Sequence, residues 1–122
     1  MSIEQLRSLR NWAVYRKYSM PSGFRKANYT RLSKIYNGIG AAWMPEWARR
    51  FLTIYLLTLA PASLIHDYEY VYGKTGYWAF CVANMRLAYN AAVDHHFLLG
   101  LLAALLCQVF GYGAFREGKT LR

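Results

Sequence analysis

The sequence predicts an all-α domain of four to five helices. Three observations carry this. Apolar residues recur at helical spacing, and no stretch alternates with the period of two that a strand needs. Proline and glycine fall at intervals that divide the chain into helix-length pieces, at 21–23, 37–40, 45, 61, 73–76 and 111–113. Finally, 56% of the 122 residues are apolar, enough material for one core in one domain.

The elements follow in order. Ile3, Leu6, Leu9, Ala13 and Val14 fall on one face of a helix spanning about 3–18, with Arg7, Arg10, Arg16 and Lys17 around it. Met20-Pro21-Ser22-Gly23 is a turn, and 24–36 is basic, without a clear period, and reads as irregular. Asn37-Gly38-Ile39-Gly40 is a loop whose glycines permit left-handed backbone angles. Pro45 suits the first turn of a helix over 45–59. Pro61 kinks the chain or opens the next helix, which Gly73 closes. After a Lys74-Thr75-Gly76 turn, a helix runs from 77 to about 95, with Phe80, Cys81, Asn84, Leu87, Ala88 and Ala91 at helical spacing. The last helix covers 97–110, and a basic tail follows. The charge-free run 97–115 reaches the lower length of a membrane span. Gln108 and three glycines within it favour a buried core helix, one that closes the core or docks into a partner. The division is a basic segment over 1–36, a helical core over 37–115 and a tail over 116–122.

The net charge of +9 is uneven. Ten Lys/Arg face Glu4 and Glu46 in residues 1–50, and five face four acids in the remainder. Such a field suits anionic partners: phospholipid headgroups, an acidic protein face or, less well, nucleic acid, for which no sheet platform is expected. A solvated basic face is the structural alternative. Arg7, Arg10, Arg16, Lys17, Trp43 and Trp47 are the candidate membrane or partner contacts, and an oligomer or larger assembly fits the aromatic content. Two cysteines make no secreted disulfide scaffold, and the N-terminus lacks a signal peptide's apolar stretch, so the expected location is a cytoplasm. Walker, dinucleotide and Gly-x-Ser-x-Gly motifs are missing from the sequence. Asp94-His95-His96 reads as a polar break between helices rather than a metal site, since adjacent helical positions diverge by roughly 100°.

The chemistry concentrates in His66-Asp67-Tyr68-Glu69-Tyr70. On a helix, positions 66 and 70 share a face. A histidine takes protons near neutral pH, and a carboxylate beside it offers oxygens to a hard cation. The pattern H-D-x-x-Y, behind the Asn-Gly-Ile-Gly loop and ahead of Ala83-Asn84 and Tyr89-Asn90, resembles the phospholipase A2-like group, particularly the small cysteine-poor forms of bacteria and phages. The resemblance covers roughly residues 35–95. It implies a calcium-dependent hydrolysis of phospholipid acyl esters, with His66 as general base and Asp67 as calcium ligand. It further implies metal-binding carbonyls from Asn37, Gly38 and Gly40, and a hydrogen bond from Tyr70 toward the site. Asn84 stands where the group has an aspartate that orients the histidine, expected here at Nδ1, and the group's cysteines in the loop and before the His-Asp pair are missing. Those departures support the alternative, a non-catalytic structural or adaptor relative, cytoplasmic or virion-associated.

Overall fold

The computed structural model describes residues 2–35, 44–55 and 58–121. These form seven α-helices and no strand among the described residues: α1 (Ile3–Tyr15), α2 (Tyr29–Ile35), α3 (Glu46–Tyr55), α4 (Ala60–Tyr72), α5 (Tyr77–Val93), α6 (Phe97–Phe110) and α7 (Tyr112–Gly118). The all-α expectation holds, and the helix number exceeds the expected four to five. The additional helices, α2 and α7, are seven residues each. The described part of the stretch expected to be irregular, 24–35, is thus mostly helical. Phe24–Lys26 form a 3-10 turn, and the Asn28 side chain accepts from the Thr30 amide at 2.7 Å as α2 begins. Residues 116–121 of the supposed tail are helical, because Gly111 ends α6 and the chain resumes at a 77° bend as α7, followed by a 3-10 turn over Lys119–Leu121. No single helix among the described residues is long and apolar enough to cross a membrane.

Local chemistry explains several boundaries. Ser2 and Gln5 form a reciprocal capping box, with Ser2 Oγ accepting from the Gln5 amide and Gln5 Oε1 from the Ser2 amide. Pro61 sits in the first turn of α4, where its missing N–H costs nothing. Gly73 caps α4 as expected, in an extended rather than left-handed conformation; a Cβ there would lie 2.6 Å from the Glu69 carbonyl. α1 and α5 end alike. Tyr18 N bonds Ala13 O while Lys17 sits at φ 58°, and His96 N bonds Ala91 O while His95 sits at φ 66°. Both are Schellman closures that use a non-glycine residue in the left-handed region.

α4 is the centre of the molecule. Nine of its thirteen residues are buried, so it reads as apolar nearly all round. α1 and α2 pack on one side of it, and α5 and α7 on others. One core cluster runs from Leu6, Phe24 and Leu32 through Leu64, Ile65 and Val71 to Leu87 and Ala103. A second joins Tyr70, Phe80 and Ala83 to Ala114 and Phe115. α5 and α6 form a close hairpin, and Gly100 makes it close: a Cβ there would lie 2.3 Å from the Ala91 Cβ.

Candidate functional site

α4 places His66 and Tyr70 one turn apart, and α5 returns alongside to bring Asn84 between them. Asn84 Oδ1 lies 2.8 Å from His66 Nε2 and accepts the Tyr70 hydroxyl at 2.9 Å. Asn84 Nδ2 donates to Gln108 Oε1 of α6 at 2.9 Å. Gln108 Nε2 in turn donates to the Tyr77 hydroxyl at 3.2 Å and to Cys81 Sγ at 3.3 Å. With the amides oriented this way every donor in the chain meets an acceptor. Nδ2 donates to Gln108, the carbonyl oxygen faces the imidazole, and in this arrangement Nε2 carries the proton. In the neutral ring Nδ1 then keeps its lone pair, on the side of Asp67, whose Oδ1 lies 3.9 Å away. The orienting amide therefore sits on Nε2, not on Nδ1 as the resemblance led one to expect.

His66 is 7% exposed and packed against the Tyr70 ring, at 4.2 Å between centroids. The Cys107 sulfur lies against both His66 and Tyr70. Burial alone would lower the imidazole pKa, but Cys107 and the Asp67 carboxylate outweigh it and hold His66 well above the ordinary histidine value. Burial raises the Asp67 carboxyl, and the imidazole offsets this only in part. Burial likewise raises the Tyr70 hydroxyl, keeping it a neutral donor.

Asp67 suits a hard cation in kind. It is a partly exposed carboxylate with the His66 ring as its one ionic neighbour among the described residues. The described residues hold no cluster of three or more His, Cys, Asp or Glu able to bind a metal by side chains alone. Asn37, Gly38 and Gly40, expected to add carbonyls, lie outside the described residues, as does Trp43.

Of the basic residues in and just after α1, Arg10 and Arg16 are drawn into the fold. Arg10 Nη1 donates to the carbonyls of Phe24 and Ala27, at 3.2 and 2.7 Å, and its guanidinium lies over Tyr29. Arg7 pairs with Glu4 at 3.3 Å. Arg16 binds Asp94 at 2.6 Å and the Val93 carbonyl at 2.7 Å. Lys17 is exposed, and exposed Trp47 meets Phe110 edge to face. Asp94 also accepts from Trp12 Nε1 at 2.6 Å and from the Tyr18 hydroxyl, and these donors pull its pKa down against the upward push of burial. It is a tie between α1 and the α5–α6 turn and is spoken for. A cleft of about 580 Å³ opens beside it, lined in part by Trp12, Pro61, His95 and His96 and by none of His66, Asp67, Tyr70 and Asn84.

Sequence reasoning missed Gln108, Cys107 and the Glu69–Arg86 pair. Arg86 Nη1 lies 2.7 Å from Glu69 Oε2, while the buried Oε1 has no hydrogen-bond partner among the described residues. Gln108 did leave a signal: it is the one side-chain amide in the charge-free run 97–115. A lone polar residue inside such a helix points to a buried polar partner.

Comparison with protein families, with characterised proteins and with solved structures returned no match.

Proposed function

We propose that the chain is a phospholipase A2-like hydrolase of phospholipid acyl esters. The observation that carries this reading is the Asn84 carbonyl oxygen, shared by His66 Nε2 and the Tyr70 hydroxyl. A histidine packed for structure alone needs one partner. This one is held by a carbonyl whose own orientation is locked by a second amide, and its remaining nitrogen is left as a base beside a carboxylate.

In the proposed reaction, Nδ1 takes a proton from water as the water oxygen attacks the ester carbonyl. The same nitrogen returns the proton to the departing alkoxide, so the imidazole ends as it began. Asn84 keeps the ring from turning but brings no charge to steady the imidazolium; in a serine-protease triad the equivalent amide costs roughly 10⁴ in turnover. Asp67 is the charged group near the ring and takes over part of that task. It would also hold calcium, with the carbonyls of the 37–40 loop, and calcium when bound polarises the ester carbonyl. Cys107 and the Asp67 carboxylate both raise the His66 pKa, so cancelling the Asp67 charge removes part of that push and favours the neutral ring that acts as base. The basic N-terminal half favours anionic bilayers as the substrate surface.

The test is release of fatty acid from phosphatidylglycerol vesicles in millimolar calcium, with calorimetric calcium titration alongside. Hydrolysis lost in His66→Ala, together with calcium binding lost in Asp67→Ala, supports the reading. Neither calcium binding nor hydrolysis by the wild-type protein refutes it. That result leaves the non-catalytic scaffold, which the tight packing of His66 against Cys107 and Tyr70 favours.

A further inference from the structure

α6 is built inside out for a helix bordered by water. Its fully buried positions are the small residues Gly100, Ala103, Ala104 and Cys107, with Leu99 and Leu106 half-buried beside them, while a row of large aliphatic residues points outward. Leu98, Leu102, Leu105 and Val109 are 67, 42, 51 and 70% exposed. Their spacing of four, three, four is that of a coiled-coil seam. α5 repeats it alongside: Trp78, Met85 and Tyr89 are exposed and Val82 half-buried, again at four, three, four.

The contacts place the two seams side by side. Gln108 meets Cys81, and Gly100 lies against Ala88 and Ala91, so the helices run antiparallel in register along the face. Across 77–115 the charged residues are Arg86 and Asp94. Arg86 is paired with Glu69, and Asp94 is held by Arg16. The face therefore carries no free charge.

We infer that the α5–α6 hairpin is a self-association surface, whose occupant is the same hairpin of a second copy of this chain. The exposed parts of these residues come to roughly 900 Å², above the about 300–600 Å² of a typical monomer's largest apolar patch and near the ~800 Å² that each partner gives to a standard stable interface. Two twofold-related hairpins form a four-helix layer in which each seam meets seam-spaced aliphatic and aromatic knobs. A helical partner accounts for the heptad spacing, which a fluid lipid surface does not require. The face also turns away from His66, because the opposite side of α6 supplies Cys107 to that site. This inference stands apart from the hydrolase reading, since its readout is mass rather than activity.

Light scattering on the full chain tests it. The expected mass is twice 14.1 kDa. Leu105→Glu should weaken association at least about 100-fold, because it buries an unpaired charge at the middle of the seam. Circular dichroism checks that this variant keeps its helices. If it does not, the milder pair Leu98→Gln with Val109→Gln takes its place and should also shift the protein to monomer. Added salt should strengthen the dimer by screening repulsion between two +9 chains. A wild-type monomer at its highest soluble concentration overturns the inference. So does a dimer that folded Leu105→Glu leaves intact, or a monomer that floats with anionic vesicles and is released by salt.

Discussion

Replacing Asn84 with alanine strands two buried donors at once. The substitution removes the acceptor of His66 Nε2 at 2.8 Å and of the Tyr70 hydroxyl at 2.9 Å. Both residues are buried, and each orphaned donor costs about 1–3 kcal/mol. Gln108 loses its bond as well, but it is only partly buried, so water restores most of that loss. The expected destabilisation is therefore roughly 3–5 kcal/mol, a large share of the 5–15 kcal/mol that holds a typical domain together. Tyr70→Phe is the calibrating partner. It removes one hydrogen bond, leaves Asn84 bonded to His66, and should cost about 1 kcal/mol. Urea denaturation reads both, with an unchanged slope and a midpoint lowered by at least about 1 M for Asn84→Ala. The reasoning fails if Asn84→Ala costs no more than Tyr70→Phe. It fails equally if Asn84→Ala and His66→Ala add without coupling, because residues sharing one network should show 0.5–3 kcal/mol of interaction, an order-of-magnitude range.

Three further outcomes follow from the geometry. Gly100→Ala should destabilise the fold by about 1–3 kcal/mol in thermal melts, despite alanine's better helix propensity, because the added methyl meets Ala91 at 2.3 Å. Asp94→Asn should lower stability at neutral pH. The folded pKa of Asp94 lies below its ordinary value of 3.8, so its contribution is present above that value and fades as pH falls through the folded one. The gap between variant and wild type in melting temperature should therefore close in acid, and a gap independent of pH would contradict the assignment. Asp67→Asn has the opposite sign, since the folded pKa is raised and the ionised carboxylate is a burden above it. In calcium-free buffer at pH 7 the variant should melt higher than wild type, and it should lose any rise in melting temperature that calcium gives the wild-type chain.

Much of the helical frame was legible because its punctuation is covalent. Pro61 and Gly73 bracket α4, and α6 ends at the glycine that follows Phe110. α2 escaped because seven residues hold barely two turns, too few for a period to emerge from a basic background. α7 escaped because Gly-Tyr-Gly reads as a stop, whereas only Gly111 ends a helix and Gly113 is carried inside the next. In the site, the partnership of His66 with Asn84 could be read from a resemblance on adjoining helices. Which imidazole nitrogen it used could not, because that depends on how α5 is rotated against α4. Gln108 and Cys107 reach the same cluster from α6 through tertiary packing that no local spacing encodes.

The tie at Asp94 reaches back to Trp12, Arg16 and Tyr18, across 76–82 positions of chain. Most of the protein must therefore exist before the C-terminal end of the first helix has its polar anchorage, whereas Arg10 finds the Phe24 and Ala27 carbonyls within 17 positions. On a ribosome, α1 emerges first and can meet the 24–35 segment early, but its C-terminal end is fastened only once α5 is made. Its capping box lets it stay helical in the interval, and its cationic face keeps waiting chains apart.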